Sequence, residues 1–202
     1  MTSGRGGTPS LRFLVVLLLV ALDLWSKQAV FAFLESDPAG LEIDSHYHER
    51  FPVAGSWLGL MRSLNTGMAF GFLKAVPHLL VGGRCVAVLL LGWLLLRADS
   101  RRKLLLWALV LVLAGALGNL YDNLFLDDPD DAHPYGAVRD WIDVYFGVWD
   151  WHFPTFNVAD SCISVGAVLL LASGFLPQRE ETEGADGAAQ ERETPADAAG
   201  AA

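Results

Sequence analysis

The chain has 202 residues, of which 53% are hydrophobic and only 18% charged. That balance excludes an ordinary water-soluble domain, and the apolar residues gather in long runs, the pattern of a polytopic membrane protein. The formal net charge of −9 is uneven: from Gln178 onward seven acids face two bases, a net −5 that leaves −4 elsewhere, and no basic surface for nucleic acid exists.

Residues 1–10 are small and polar, an N-terminal segment on the cytoplasmic side. The first span is expected over Leu11 to Phe33. Arg5, Arg12 and the run Leu14–Leu22 also suit a signal peptide, but apolar helical character continues past Asp23 and Lys27, which favours a retained helix. Residues 34–77 are too mixed to span a bilayer; alternation around Trp57–Phe72 predicts short strands at the interface. His46 and His48 beside Glu49 suggest a metal only weakly, since histidines in a polar loop are more often solvated.

The second span is expected from Leu79 to Leu96, with Arg84 near its start placed to snorkel toward headgroups. A basic turn follows at Arg97–Arg102, then a third span from Lys103 to Leu124. A second polar loop, Phe125 to Pro154, holds the acidic insert DDPDD. The fourth span is Phe156 to Leu176, stopped by Pro177, and residues 178–202 read as a disordered acidic tail. Cys85 and Cys162 fall inside apolar runs without CxxC or Cys/His spacing, so neither disulfide nor zinc chemistry is indicated. Four spans put both termini on one side, which Arg5, Arg12, Arg97, Arg101, Arg102, Lys103 and Arg179 mark as cytoplasmic.

With that topology the outer ends of the third and fourth spans carry Asn119 and Asp122, and Asn157 and Asp160. Asp140 and Asp143 lie in the second outer loop, wrapped in apolar residues that suggest a segment returning to the membrane surface, and Asn65 lies in the first. A charged residue inside a span costs roughly 2.5–3.5 kcal/mol on insertion scales, so Asp160 needs a reason. It can cap the fourth helix together with Asn157. Asp140 can be an ordinary loop acid, Asn119 an interhelical hydrogen-bond donor. Asp23 and Lys27, one turn apart, are best read as a mutually neutralising structural pair. The functional alternative is a carboxylate dyad: two close carboxyls share a proton, one acting as base on water while the other donates to a carbonyl. No nucleophilic rival competes, since Ser161 and Cys162 have no base in their span and His152 stands ten residues from Cys162.

Five stretches together resemble the lipoprotein signal peptidases, also called signal peptidase II: ALDLWSKQ with Asp23 and Lys27, LNTGMAFGFL with Asn65 and Gly67, AGALGNLYDN with Gly118, Asn119 and Asp122, VRDWIDVYF with Asp140, and FNVADSCISVG with Asn157, Ala159 and Asp160. The similarity covers roughly Leu11 to Phe175. It implies four transmembrane helices in an all-α membrane protein, with a small β-rich periplasmic platform in the first outer loop. It implies an aspartic endopeptidase of the bacterial inner membrane, cleaving diacylglyceryl-modified prolipoproteins before the lipidated cysteine near the periplasmic face. Asp140 and Asp160 match the family's catalytic positions; Asn65, Gly67, Asn119, Asp122 and Asn157 match positions that bind substrate or support the site. Asp23 matches a polar position in the first helix, in keeping with the structural pair. No metal or organic cofactor is implied, the partners are substrate and membrane lipids, and a monomer is expected.

Two departures stand out. Asn123 replaces the arginine that usually follows Asp122, leaving Arg139 as one candidate to take over its salt bridge, and the loop Leu124 to Ala137 is longer and more acidic than usual. The expected organisation is a segment 1–10, a membrane protease domain 11–177 and a tail 178–202. Two rivals from other classes remain. A transporter with a proton relay predicts acids through the whole membrane, whereas these gather at one face. A membrane scaffold leaves the motif matches at Asp140 and Asp160 unexplained.

Overall fold

The computed structural model describes residues 9–43, 48–66, 76–127 and 134–175. Four helices dominate: α1 (Pro9–Glu35), α2 (Pro77–Arg97), α3 (Lys103–Phe125) and α4 (Val158–Phe175). Each is long and apolar enough to cross a membrane. At 1.5 Å per residue even α4, with 18 residues, reaches roughly 27 Å, close to the ~30 Å hydrocarbon core. The ends fall within two residues of those expected from hydropathy. Gly67, His46, the tail 178–202, most of segment 1–10 and most of the acidic insert lie outside the described residues.

Helix α3 is the central element, packed by α1, α2 and α4. Val16, Leu95, Leu109, Val110 and Leu113 form a buried core where α1, α2 and α3 meet. The outward faces stay apolar and exposed, as at Leu18, Leu89 and Leu171, which suits contact with lipid rather than water.

The α3–α4 contact depends on small residues, since without a hydrophobic drive between helices in lipid, close backbone approach supplies the attraction. A Cβ on Gly166 would stand 2.6 Å from Val112 Cγ2 and 3.0 Å from Ala108 O, and one on Gly115 would collide with the carbonyl oxygen of Ala159. Gly166→Ala is therefore expected to push the two helices apart and lower stability by about 1–3 kcal/mol, the usual penalty of overpacking. Thermal unfolding in detergent measures it; an unchanged midpoint would show that the pair yields freely.

The all-α expectation is too narrow. A five-stranded antiparallel sheet of order β1-β2-β3-β4-β5 caps one end of the bundle. Its strands are β1 (Glu42–Ile43), β2 (Glu49–Ala54), β3 (Leu58–Asn65), β4 (Val138–Phe146) and β5 (Trp151–Phe156). Only the first three come from the first connecting loop, where strands were expected. The other two come from the second, so the sheet closes across both loops and is larger than a platform in one of them. The sequence of β4 conceals a strand because Asp140 and Asp143 interrupt any apolar alternation. It is a strand because β3 and β5 flank it, pairing Ser63 with Asp140 and Val144 with Phe153.

Candidate active site

The helix directions and the sheet bring the polar residues to one end of the bundle. Helix α3 ends there, α4 begins there, and β4 lies between them in the chain. The Asp140 carboxylate is 1% exposed. Its Oδ1 accepts from Asn157 Nδ2 at 2.6 Å and its Oδ2 from Asn65 Nδ2 at 3.1 Å. Asp160 is half-buried. Its Oδ1 accepts from Asn119 Nδ2 at 2.8 Å.

Asp160 takes part in a helix cap and also reaches the other polar residues. Asn157 Oδ1 accepts from the Asp160 backbone N–H at 2.8 Å, and the Asn157 N–H donates to Asp160 Oδ2 at 3.3 Å. That is a reciprocal cap on the first turn of α4. The same two residues also reach across to β4 and α3. Asn157 Nδ2 lies within reach of Asp140 Oδ1, Asn119 Oδ1 and the Arg139 carbonyl. The cap therefore orients the carboxylate instead of competing with a site role. Asn119 joins helices, as an interhelical donor should, and its two ends touch Asp160 and Asn157.

Beneath this layer lies a buried ion cluster. Lys27 Nζ stands 2.7 Å from Asp23 Oδ2 and 3.2 Å from Asp122 Oδ2, and it donates to Asn119 Oδ1 at 3.0 Å. Asp23 Oδ1 in turn accepts from the Ala159 N–H at 2.8 Å. The structural reading of Asp23 and Lys27 is thus incomplete: the pair ties α1 to both α3 and the start of α4. Arg139 does grip Asp122, through Nη2 at 2.9 Å and its own backbone N–H at 3.0 Å. Asn123 turns elsewhere. Its Nδ2 donates to the Gly136 carbonyl at 2.7 Å, its carbonyl accepts from the Gly136 N–H at 3.1 Å, and its Oδ1 accepts from Arg84. Arg84, expected among headgroups, points into the protein.

Asp143 is not part of this layer. Its oxygens meet Arg50 Nε at 2.5 Å and His152 Nδ1 at 2.6 Å, which stitches β2, β4 and β5 together. Gly59 makes room, since a Cβ there would stand 2.6 Å from Arg50 Nε. Residue spacing carries no signal for that cluster, because its three members come from three strands. His152 is turned to Asp143, not toward Cys162 in α4.

Asp140 and Asp160 line one open cleft of about 870 Å³, together with Asn65, Phe153, Thr155 and Ser164. Burial, and next the negative charge of Asp160, push the Asp140 carboxyl from the ordinary carboxylate range up to about 7; the Asn65 and Asn157 hydrogen bonds and the charge of Lys27 restrain the rise. Chemically the cleft offers two carboxyl groups, one of which, Asp140, exchanges its proton near neutral pH, among amide donors, at the end of a membrane-spanning bundle.

A family model described as signal peptidase (SPase) II matches residues 15–176 of the chain. A lipoprotein signal peptidase of Yersinia pseudotuberculosis is 36% identical over 174 residues, covering 83% of this chain and 88% of that protein. The lipoprotein signal peptidase of Escherichia coli K12 is 34% identical over 178 residues, covering 85% and 92%. A solved bacterial membrane enzyme, determined by the in meso method at 1.9 Å resolution, superposes with a TM-score of 0.63 at 22% identity, over 84% of this chain and 95% of that one. The last likeness is one of fold.

Proposed function

The chain belongs to the signal peptidase II family, and from that premise we propose that it is an intramembrane aspartic endopeptidase, which removes signal peptides from diacylglyceryl-modified prolipoproteins by cutting before the lipidated cysteine. The observation that carries the catalytic type is the convergence of Asp140 and Asp160 on one cleft, joined by Asn157 and Asn119. In this reading the site faces the outer leaflet of a bacterial inner membrane, with both termini cytoplasmic. The substrate's apolar helix and acyl chains enter sideways along the exposed faces of the spans. Among the described residues strand β5 is an edge of the sheet, and it lines the cleft, so an extended segment around the scissile bond can lie beside it.

The chemistry follows from the two carboxyls. Asp160 takes a proton from a water as its oxygen attacks the scissile carbonyl carbon. Protonated Asp140 gives its proton to the carbonyl oxygen, forming a gem-diol. Collapse returns that proton to Asp140 while the proton on Asp160 passes to the departing amide nitrogen, and the C–N bond breaks. No covalent acyl-enzyme forms.

The test is cleavage by the purified protein of a diacylglyceryl-modified prolipoprotein beside its unmodified form. Release of the signal peptide from the modified form alone, with mass spectrometry placing the cut before the cysteine, supports the proposal. Absence of cleavage, or a cut elsewhere, overturns it.

The pH dependence has a definite sign. Below about 7 Asp140 keeps its proton, and above it that proton is gone and the donor is lost. Cleavage should therefore fall as pH rises through about 7. Asn65→Leu removes a hydrogen bond that favours ionised Asp140. Its alkaline limb should move up by roughly half to one pH unit. A pH–rate profile in which the limb stays put or moves down would sever Asn65 from the pair.

A further inference from the structure

Strand β5 carries an aromatic series that the carboxylate site does not use. His152 turns onto Asp143, 2.6 Å away, and alternation along a strand then sends Trp151 and Phe153 to the opposite face. Both stay exposed there. Phe156, Phe153, Trp151, Phe146 and Trp149 follow one another in contact, with ring centroids 5.8, 6.0, 5.5 and 5.9 Å apart. The series starts where Phe153 and Phe156 line the cleft. It ends at the turn between β4 and β5, roughly 17 Å away along the strand at ~3.3 Å per residue.

That turn is braced so that its tip projects. The Trp149 N–H donates to the Phe146 carbonyl at 3.0 Å, and the Tyr145 hydroxyl donates to Asp150 Oδ1 at 2.7 Å. Asp150 adopts a left-handed φ of 46°, which aspartate tolerates better than most residues. Val148 is 91% exposed and Trp149 73%. The turn between β2 and β3 adds to the same end of the sheet. There the Trp57 carbonyl accepts from the Tyr145 N–H at 2.8 Å, and Trp57 and Val53 are exposed as well.

A contiguous apolar surface of this kind marks an interaction site, and its tryptophans indicate with what. Indole rings gather at membrane–water boundaries, where one part of the ring is apolar and another polar. Exposed Trp93 and Trp107 lie little more than one turn from the helix ends remote from the site. At the site end α2, α3 and α4 carry no tryptophan. The exposed tryptophans on that side are Trp57, Trp149 and Trp151 of the sheet and its turns. The surface is also continuous with the apolar outside of the bundle, since exposed Val165 of α4 lines the cleft together with Phe153.

We propose that the aromatic edge running from Phe153 to the turn Gly147–Asp150 is a lipid-seating surface. It lies along the boundary between headgroups and acyl chains of the leaflet at the site end, and it holds the sheet down on the membrane. A sheet standing along the helix axes would lift Val148, Trp149 and Trp57 into water. Seated, β5 keeps the mouth of the cleft at the depth of the glyceryl esters. The proposal is independent of the reaction assigned to the cleft.

Fluorescence quenching in reconstituted vesicles tests it. The full chain is placed in phosphatidylcholine carrying bromine on the acyl chains either next to the ester or near the methyl end, and in unbrominated lipid. The Trp149 signal is the difference between wild type and Trp149→Phe, a change at an exposed ring that leaves the fold intact. That signal should lose more intensity to the shallow bromines than to the deep ones. Trp151→Phe is read in the same way and decides if Trp149→Phe does not fold. Quenching by neither label, as for a tip held in water or covered by a second copy of the chain, overturns the proposal. So does stronger quenching by the deep label, which would place the turn in hydrocarbon. A protein that fails to cleave substrate yet shows the shallow quenching loses the functional reading and keeps this one.

Discussion

Asp140→Asn and Asp160→Asn should each leave a folded protein whose cleavage of lipid-modified substrate is roughly 10²–10⁴-fold slower, the range a positioned acid or base contributes. The expectation of folding is as important as the loss. Asp140 accepts two side-chain amides, from Asn157 and Asn65. An asparagine keeps one of these bonds and turns an N–H toward the other donor, a penalty of about 1–3 kcal/mol, which a membrane bundle of this size absorbs. At Asp160 the amide oxygen can still accept from the Asn157 N–H and so retain the cap. What neither asparagine can do is exchange a proton. Turnover by purified protein, with unfolding followed in parallel, makes the comparison. Near-normal turnover by either folded variant would remove that residue from the chemistry and leave Asp160 as a helix cap or Asp140 as a strand residue. An unfolded variant is read instead through Asp→Glu at the same position, which keeps the proton and displaces it: a slow but pH-dependent enzyme is the expected result.

Lys27→Met should be the most destabilising single change, costing about 3–5 kcal/mol, the range for breaking a buried ion pair by removing one partner. Lys27 is 0% exposed, and its ammonium holds Asp23, Asp122 and the Asn119 amide oxygen together. Its removal leaves Asp122 with Arg139 but strips Asp23 of its counter-charge. Among the described residues the Asp23 carboxylate then keeps the Ala159 N–H, in the turn that positions Asp160. The double variant Asp23→Asn/Lys27→Met removes both charges and should lose less than Lys27→Met alone, which a double-mutant cycle in detergent unfolding detects. Equal losses in the two variants would mean that Lys27 contributes packing, not charge.

Hydropathy alone located the four spans to within two residues, because insertion in a bilayer is decided locally, by the length and composition of each segment. From span direction alone it also follows that Asn119, Asp122, Asn157 and Asp160 share one end. The strand nature of β4 was not legible. Its backbone partners lie in β3, more than seventy residues earlier, and in β5, and its two aspartates hide the alternation that marks a strand.

The partners of the polar side chains were the least legible of all. Asp23 and Lys27 are neighbours on a helix face, so their mutual contact could be read from spacing, but Asp122, Asn119 and the Ala159 N–H enter only when α3 and α4 pack against α1. Arg84 looked like a lipid-facing residue near a helix end, and its turn toward Asn123 depends on how α2 lies on α3. Sequence by itself determined which segments enter the membrane and which residue types gather at one end, since both follow from local composition and chain direction. Tertiary structure alone decided which carboxylate meets which cation or amide, because a buried polar group takes its partner from whatever packing brings within about 3 Å.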